Sequence, residues 1–411
     1  MKHAWILSHY AQRPTDKGGL TRHHSLGKYL LANGWRVTII TASTDHPSGR
    51  QRTVHTEQAP ESFEGIPYLW LRTPDYSGNG LDRIRNMVAF GWRALVSPAM
   101  SKLDKPDLIM GSSPHPMAAL AAARLARRHK VPFVYEVRDL WPEALVDMGR
   151  IGAGGATALA MRRIERSLFR SACRSVVLWP NVGAYMQEQG IDAPSPAWIP
   201  NGVDFAALPP PSPVQDRDVF TLMYLGAHGG ANALENVIQA MRLVQDRPQR
   251  IPVRLRLIGA GPDKPRLREL AAEIGLNNVS FEDAVEKQLV PRVAAEADAF
   301  IFNLLGAPMF RYGISPNKLY EYMAAQRPVI FACEAFNNPI AESGGGLSVP
   351  PGNPARLADA ILGLANTSLV RRREMALAAR QHAETHYGFD HLAESLAEVF
   401  DQCVRAPLPN R

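Results

Sequence analysis

The sequence SPNKLYEYM occupies residues 315–323 and lies between two short apolar runs, residues 299–304 and 328–332. Both runs have the length and the β-branched or aromatic content of buried strands. Ser315 followed by Pro316 predicts the start of a helix, with Ser315 as the N-cap and Pro316 in the first helical position. A strand, a helix and a second strand in this order are the repeating unit of an α/β fold with a parallel sheet.

Two charged residues of this helix, Lys318 and Glu321, are three positions apart and therefore share one face. The free N–H groups and the dipole of a helix N-terminus attract phosphate. Lys318 adds a full positive charge one turn inside, and the carboxylate of Glu321 can accept hydrogen bonds from sugar hydroxyls. The pattern fits a nucleotide site that includes Ser315 and Asn317. It fits a capped surface helix with a Lys318–Glu321 ion pair equally well.

The chain has 411 residues, too many for one ordinary core, which predicts two domains. Strand and helix signals alternate in both halves, so the predicted class is α/β with parallel sheets. Residues 208–213 contain four prolines in six positions and are predicted to form a linker. We expect one domain over residues 1–205 and a second over residues 206–385.

The net charge of +7 is concentrated in the first half of the chain. Residues 1–205 carry 25 Lys and Arg against 17 Asp and Glu, a balance of +8, whereas residues 206–411 carry 21 against 22, a balance of −1. A basic first domain indicates an anionic partner, such as nucleic acid, lipid headgroups or a pyrophosphate-linked substrate. The sequence has no helix-turn-helix, zinc or RNP-like motif, which argues against nucleic acid.

Cysteine usage and hydropathy predict a cytoplasmic protein. Cys173, Cys333 and Cys403 are widely separated and form neither a disulfide framework nor a metal-binding spacing. The apolar run near the N-terminus is short and is predicted to be a first buried strand rather than a signal peptide. No run approaches the roughly 18 apolar residues of a membrane-spanning helix.

The segment from residue 80 to residue 102 is predicted to form a basic amphipathic helix. It places apolar side chains among Arg83, Arg85, Arg93 and Lys102. Such a helix can lie on an anionic membrane surface, here the inner leaflet. The alternative is an ordinary domain helix whose apolar stripe faces the core.

Glycine-rich turns follow three predicted strands, and each opens a helix or a turn. They contain Gly18 and Gly19, then the run 226–230 with His228, Gly229 and Gly230, and then Gly259. Glycine lets backbone N–H groups approach a phosphate or a sugar closely. In open α/β sheets, ligands bind at the carboxyl ends of strands, so a cleft between the two domains is the expected site.

Residues 136–143 end a strand of the first half and concentrate chemically active side chains. Asp139 and Glu143 are candidates for acid–base work or for binding sugar hydroxyls, Arg138 can bind an anion, and Trp141 can stack on a sugar ring. An Arg138–Asp139 structural pair is the alternative. His115, in a short loop between two prolines, is a further acid–base candidate, although a loop histidine is more often a surface residue.

Several enzyme classes lack support. The chain contains no HExxH, CxxC, GxSxG or P-loop motif, and the GxGxxG fingerprint of nicotinamide enzymes is missing. We therefore expect no bound metal and no cofactor other than a co-substrate.

In order and spacing, the motifs resemble the retaining family 4 glycosyltransferases with the GT-B fold, in which two Rossmann-like domains face a central cleft. The matching stretches of the second half are YLGAHGG (224–230), LIGAGPDKPRLRELAAEIGLNNVSFEDAV (257–285), ADAFIFNLL (297–305) and SPNKLYEYMAAQRPVI (315–330), and IPNGVD (199–204) precedes them. The first half adds residues 18–41 and VYEVRDLWPEAL (134–145). The second of these is similar to the WbuB-like branch, which builds bacterial surface polysaccharides.

The resemblance implies transfer of a sugar from a nucleotide diphosphate sugar, UDP by family frequency, with retention at the anomeric carbon and without an obligatory metal. The donor would bind the second domain and the acceptor the first, and residues 386–411 would form a helix that returns to the first domain. The acceptor is expected to be a saccharide or a polyprenyl-diphosphate-linked sugar in polysaccharide or O-antigen biosynthesis.

Two departures from the family pattern concern the donor site. Glu321 matches the second acid of the Glu-x7-Glu motif, which holds the ribose, but Gly313 stands at the first acid. Backbone N–H groups of residues 314–317 are expected to take over its part. The 226–236 turn has His228 where the family often has an arginine and a lysine. We therefore expect Lys318, with Arg311 as a weaker candidate, to carry the charge that binds diphosphate, and Gly18 and Gly19 to close over the sugar.

Two rival functions remain open at this stage. A nucleotide-sugar 2-epimerase of the same GT-B fold would eliminate and re-add the diphosphate without an acceptor. A nicotinamide oxidoreductase on paired Rossmann domains is less favoured, because the glycine fingerprint is missing.

Overall fold

The computed structural model describes residues 1–16, 21–78, 80–147 and 149–407. The chain divides into two compact units, Met1–Pro200 with Phe389–Arg411 and Asn201–Gly388. The first crossing point precedes the expected boundary at 205/206 by a few residues. The reason is a contact between distant segments. Val203 donates a hydrogen bond of 2.8 Å to the Tyr387 carbonyl and forms a bridge with Gly388, which ties the segment after Pro200 to the second unit.

The proline-rich segment 208–213, predicted as the linker, lies inside the second unit. The carbonyl of Ser212 accepts a hydrogen bond of 2.7 Å from the buried guanidinium of Arg327, and Val214 is buried directly after it. Prolines exclude regular structure here, as the sequence predicts, but the chain crosses between the units earlier.

The first unit alternates strands and helices from its first residues. Its elements are β1 (Lys2–Leu7), α1 (Arg22–Ala32), β2 (Trp35–Ala42), β3 (Glu61–Phe63), β4 (Ile66–Leu71), α2 (Leu81–Val96), β5 (Leu108–Ser112), α3 (Pro116–His129), β6 (Phe133–Val137), α4 (Glu143–Asp147), α5 (Ala156–Ser171), β7 (Arg174–Val177), α6 (Val182–Glu188) and β8 (Ala197–Trp198).

The described strands of this unit form one sheet in the order β3-β4-β2-β1-β5-β6-β7-β8. All neighbouring pairs are parallel except β3 and β4, which are antiparallel. The helices α2, α3 and α5 pack side by side over these strands, and α1 lies over the opposite face. β3 and β4 were not predicted from the sequence, because residues 61–71 are interrupted by glycine and proline.

The second unit repeats the alternation. Its elements are β9 (Phe220–Leu225), α7 (Leu234–Gln245), β10 (Val253–Ile258), α8 (Lys264–Glu273), β11 (Val279–Glu282), α9 (Val290–Ala294), β12 (Ala299–Asn303), α10 (Asn317–Ala324), β13 (Val329–Ala332), α11 (Pro339–Ser343), β14 (Gly346–Val349), α12 (Pro354–Asn366) and α13 (Leu369–Tyr387). The sheet order is β11-β10-β9-β12-β13-β14, and its pairs are parallel. The strand order reverses beside β9, so a crevice is expected at its carboxyl end.

The last helix, α14 (Phe389–Arg405), belongs to the first unit and packs against α1. Its apolar face enters the core, where the ring of Phe400 meets Trp35 edge to face with 5.1 Å between ring centroids. At the polar margin Lys2 pairs with Asp401 at 2.7 Å. No helix of the described residues is long and apolar enough to cross a bilayer.

Candidate functional site

The carboxyl ends of β9 and β10 approach each other closely in the second unit. Gly259 has a φ of +153°, and a Cβ at this position would lie 1.9 Å from the carbonyl oxygen of Gly226. The backbone of His228 then donates to the Ala260 carbonyl at 2.9 Å and accepts from the Asp263 amide at 3.0 Å. Only glycine fits such a conformation and contact, which explains the glycine turns that follow both strands.

The His228 side chain is fully buried beneath these turns. Neither of its ring nitrogens has a hydrogen-bond partner among the described residues. Burial, together with the positive charges of Lys264 and Arg268, lowers the pKa of His228 to about 4. The imidazole is therefore neutral at pH 7 and brings no positive charge to this edge of the sheet.

Lys318 reaches the same edge from the first turn of α10. Its ammonium donates a hydrogen bond of 3.1 Å to the Tyr224 hydroxyl and another to the Asn232 amide oxygen. It also lies 4.8 Å from the centre of the Tyr224 ring and 5.2 Å from that of Phe302. Burial among these neutral groups lowers the pKa of Lys318 to about 7.

Within the described residues Lys318 forms no ion pair, so the Lys318–Glu321 pair considered from the sequence is not made. The carboxylate of Glu321 is exposed and makes no hydrogen bond within the described ranges. A desolvated cation without a counter-anion and an unengaged carboxylate one turn later are both available to a ligand.

Tyr224 and Asn232 were not identified from the sequence, although they hold Lys318. Tyr224 lies in a strand and has the pattern of a core residue, but its hydroxyl also donates to the Ala227 carbonyl at 2.8 Å. Asn232 donates to the same carbonyl at 2.9 Å and belongs to the turn Gly230–Asn232. Gly229 and Gly230 precede Asn232, and a Cβ added to either would meet no atom closer than 3.8 Å. Their backbone amides therefore lie in an open turn.

The start of α10 differs from the sequence prediction. The helix begins at Asn317, and Pro316 rather than Ser315 is its N-cap. The Ser315 hydroxyl instead accepts a hydrogen bond of 2.8 Å from the Asn201 amide, and the Ser315 carbonyl accepts one of 2.7 Å from the Asn201 side chain. Ser315 thus anchors the segment that enters the second unit. Its hydroxyl oxygen is engaged by Asn201 and does not cap the helix.

The expectation that the amides of residues 314–317 replace the missing first acid is only partly met. The amide of Ile314 donates to the Asn337 side chain at 2.8 Å, and Pro316 has no N–H. Asn317 and Lys318 begin the helix, where amides have no intrahelical partner. They remain the N–H groups that can meet a phosphate. Arg311 is exposed and its guanidinium donates to the Tyr312 hydroxyl at 2.5 Å.

The first unit places His115 at the carboxyl end of β5, immediately before α3. It is not the surface residue that a proline-flanked loop suggests, because it is 1% exposed. Its Nε2 lies 2.8 Å from Nδ1 of the buried His9. Burial and the charge of Arg83 lower the pKa of His115 to about 3, so the ring is neutral at pH 7.

Arg138, Asp139 and Trp141 follow β6, and all three are half-buried. The guanidinium of Arg138 forms no ion pair with Asp139 among the described residues, and its buried Nε has no hydrogen-bond partner. Burial raises the pKa of Asp139, and the nearby Arg138 opposes this effect. The structural Arg138–Asp139 pair considered from the sequence is therefore not formed.

Glu143 is engaged within the first unit. Its two carboxylate oxygens accept hydrogen bonds of 2.7 Å and 3.1 Å from the guanidinium of Arg162. This bidentate ion pair joins α4 to α5 and occupies the carboxylate oxygens that were predicted to bind an acceptor. Gly18 and Gly19 lie outside the described residues.

A buried carboxylate in β6 was not identified from the sequence. Glu136 is fully buried and accepts from Arg22 at 2.9 Å, from Ser112 at 2.5 Å and from His23 at 2.6 Å. These partners hold the pKa of Glu136 well below its usual range against the opposing effect of burial. Arg22 also donates to the Ile199 carbonyl at 2.8 Å and to that of Pro200, so the network fixes the end of the first unit.

In residues 1–16, 21–78, 80–147 and 149–407, no group of three His, Cys, Asp or Glu side chains is arranged to hold a metal ion. The polar groups described above lie at the carboxyl edges of the two sheets. In the second unit they comprise a desolvated lysine, open amides and a carboxylate, a combination suited to phosphate and hydroxyl groups.

Comparison with known proteins agrees with this architecture. A family described as "Glycosyl transferase 4-like domain" matches residues 18–202, and one described as "Glycosyl transferases group 1" matches residues 219–367. The protein named "Putative colanic acid biosynthesis glycosyl transferase WcaI" from Escherichia coli (strain K12) is 25% identical over 328 residues, which cover 75% of this chain and 78% of that protein.

Two solved structures are similar over nearly their whole length. Sucrose-phosphate synthase from Thermosynechococcus elongatus has a TM-score of 0.73 and 17% identity over 98% of this chain and 99% of that chain. Anabaena HepE, solved in complex with UDP-glucose, has a TM-score of 0.67 and 16% identity over 98% and 99%.

The two parallel-sheet α/β units and these neighbours define the GT-B fold. The chain is a glycosyltransferase of the GT-B type, and the two family matches, together with the neighbours, support its membership of glycosyltransferase family 4.

Proposed function

We propose that this glycosyltransferase moves a sugar, with retention at the anomeric carbon, from a UDP-sugar to a lipid-linked or saccharide acceptor of a bacterial surface polysaccharide. The complex of HepE with UDP-glucose supports the donor class, and the name of WcaI supports the biosynthetic setting. Membership of the WbuB-like branch and a hexosyl or N-acetylhexosaminyl donor are parts of the same proposal.

The observation that carries the proposal is the state of Lys318. Its ammonium is desolvated, has a pKa of about 7 and is surrounded by neutral acceptors rather than a carboxylate. A diphosphate would supply the missing negative charge and would raise the pKa of the ammonium again. The amides at the start of α10 would add hydrogen bonds to the same anion.

The chemical step that we propose follows from these charges. As the bond between the anomeric carbon and the diphosphate oxygen breaks, negative charge develops on the leaving diphosphate. Lys318, the start of α10 and the turn at Gly229 and Gly230 would stabilise this charge without reorganisation. The acceptor oxygen would form the new bond to the anomeric carbon on the face that the diphosphate leaves, while its proton passes to the leaving phosphate oxygen. No carboxylate nucleophile is then needed.

The remaining donor contacts are assigned by position. Glu321 would accept hydrogen bonds from the ribose hydroxyls, because its carboxylate is exposed and unengaged within the described ranges. Gly259 and His228 would shape the turn beneath the nucleotide rather than bind it through charge. For Gly18 and Gly19, which lie outside the described residues, we propose contacts with the sugar and the phosphate.

For the acceptor we propose Arg138, Asp139 and Trp141. Arg138 offers an unpaired guanidinium to an anionic acceptor group, and Trp141 offers a ring face to a sugar. Asp139 rather than His115 would orient the acceptor hydroxyl whose proton passes to the leaving phosphate, because Asp139 is half-buried, whereas His115 is enclosed against His9. Glu143 is a weaker candidate, since Arg162 already binds it.

We also propose a peripheral association with the inner leaflet, as a polyprenyl-diphosphate acceptor would require. In α2, Met87 and Phe90 face the core, whereas Ile84, Val88 and Trp92 are exposed. Trp92 is 64% exposed, and tryptophan favours the membrane–water interface. These outward side chains would contact the bilayer.

The test combines binding and turnover. We expect Lys318→Ala to abolish sugar transfer and to weaken UDP binding, and Glu321→Ala to weaken UDP binding. Arg250→Ala, an exposed change in the same unit, should alter neither quantity. Unchanged UDP affinity in both site variants would refute the site. Epimerisation of a UDP-sugar in the absence of any acceptor would show that the protein is a 2-epimerase rather than a transferase.

A further inference from the structure

One face of the first unit is formed by the three packed helices α2, α3 and α5. Gly91 of α2 lies so close to Met117 of α3 that an added Cβ would approach its carbonyl oxygen to 3.1 Å. α3 in turn packs against α5. The outward sides of these helices therefore form one continuous surface, on the opposite side of the sheet from α1.

The α3–α5 part of this surface is strongly basic. Neither helix exposes an acidic side chain, because Glu165, the one acid within the two ranges, is buried against Tyr185. None of the exposed arginines of the two helices forms an ion pair with a described residue. They are Arg124, Arg127, Arg128, Arg163, Arg166 and Arg170.

Apolar side chains flank these arginines. Leu159 of α5 is 56% exposed, and Trp92 of α2 is 64% exposed. Unpaired arginines beside exposed Leu and Trp match the interface of an anionic bilayer, where the charges meet headgroups and the apolar groups enter the acyl boundary. A nucleic acid would be drawn by the charge but would leave Leu159 without a partner.

We propose that the α3–α5 arginine surface is the main membrane-docking face of this protein and that its ligand is an anionic phospholipid bilayer. Residues 80–102 were predicted to make this contact, but Arg93 in that segment is paired with Glu57, at 3.1 Å. That segment keeps Arg85 and Lys102 exposed beside the acidic Asp82, whereas α3 and α5 expose six arginines and no acid. The purpose of this surface rests on the lipid-linked acceptor proposed above, whereas the binding itself does not.

The experiment measures retention on vesicles without donor or acceptor. Full-length protein is sedimented with vesicles of mixed phosphatidylglycerol and phosphatidylcholine, at low and high salt, and with pure phosphatidylcholine. The variant R127Q/R163Q/R166Q removes three surface charges, and R250Q/R292Q/R356Q removes three exposed charges from the second unit. The latter is the matched control, because both variants change the net charge equally.

We expect salt-sensitive binding of the wild type to anionic vesicles only, and a roughly 100-fold loss of partitioning in R127Q/R163Q/R166Q at low salt. The control should bind nearly as well as the wild type. Equal losses in both variants, or unchanged binding of the arginine variant, would overturn the assignment. Preferential binding of duplex DNA or RNA over the vesicles would overturn it in favour of nucleic acid. Failure of UDP-sugar transfer alone leaves these binding results unaffected, so the two proposals are tested separately.

Discussion

The ammonium of Lys318 donates to the hydroxyl of Tyr224 at 3.1 Å and lies 4.8 Å from the centre of its ring. The two residues are 94 positions apart in the chain. Their contact places a positive charge against the carboxyl end of β9 without a neighbouring carboxylate. The charge of this lysine is therefore sensitive both to pH and to a bound anion, which leads to the first prediction.

The affinity for UDP is expected to depend on pH through Lys318. Free Lys318 has a pKa of about 7, and a bound diphosphate raises it, so binding is coupled to proton uptake above pH 7. The phosphate of UDP loses its last proton at about pH 6, so affinity should change little between that pH and 7. It should then fall as pH rises from 7 to 9, by at most about tenfold per pH unit. Calorimetric titration with UDP measures this. In Lys318→Arg, which keeps its charge, the dependence should vanish, and a pH-independent wild type would contradict the prediction.

Gly259→Ala is expected to destabilise the second unit by about 2–4 kcal/mol. The added methyl group would overlap the Gly226 carbonyl oxygen at 1.9 Å in a backbone conformation with φ of +153°. The matched control is Gly229→Ala, whose Cβ would meet no atom within 4 Å at a φ of −131°. Urea unfolding monitored by circular dichroism compares the two. Similar midpoints for both variants would show that the strand ends are not locked as described.

Glu136→Ala is expected to cost about 3–5 kcal/mol, since it leaves the buried Arg22 without its counter-charge. Because the pKa of Glu136 is lowered in the folded protein, its ionised carboxylate stabilises the fold fully above the carboxyl pKa of the unfolded chain. This stabilisation is lost as pH falls through the pKa of Glu136 in the folded protein. The stability gap between wild type and variant should therefore narrow in acid. Glu374→Ala, which removes an exposed partner of Arg371, should have little effect in the same denaturant titration.

Cys173 is expected to be the most reactive of the three thiols. A hydrogen bond from Cys403 and the nearby charge of Arg174 lower the pKa of Cys173 to about 7, and the residue is half-buried. Cys333 and Cys403 are buried and have raised pKa values. Titration with a chromogenic disulfide near pH 7 should show one fast thiol. The fast phase should disappear in Cys173→Ser and persist in Cys333→Ser; its survival in Cys173→Ser would refute the assignment.

Local sequence patterns predicted most of the regular structure. The apolar runs 299–304 and 328–332 form β12 (Ala299–Asn303) and β13 (Val329–Ala332), each within one residue of the predicted bounds, because both runs are short and β-branched or aromatic. The start of α10 was predicted one position too early. A proline near a helix start is compatible with either the N-cap or the first helical position, so the local pattern does not decide between them. The Ser315 hydroxyl accepts a hydrogen bond from the distant Asn201 amide and does not cap the helix.

The candidate site was predictable in position but not in chemistry. Glycine turns after strands are local features, so the carboxyl edge of the second sheet could be named from the sequence. The identities of Tyr224 and Asn232 as partners of Lys318 could not, because a tyrosine inside an apolar strand has the pattern of a core residue. In the same way, Glu143 looked available until Arg162, 19 residues further on, proved to bind it.

The sequence by itself determined the α/β class, the two-unit organisation and the strand ends at which ligands can bind, because these follow from periodicity and turn chemistry over a few residues. The tertiary structure alone decided which charges remain unpaired. Lys318 without a carboxylate, Glu136 with three donors and the arginines of α3 and α5 facing outward depend on contacts between distant segments. Burial and partner choice, and with them the charge that a ligand or a membrane meets, arise only when those segments pack together.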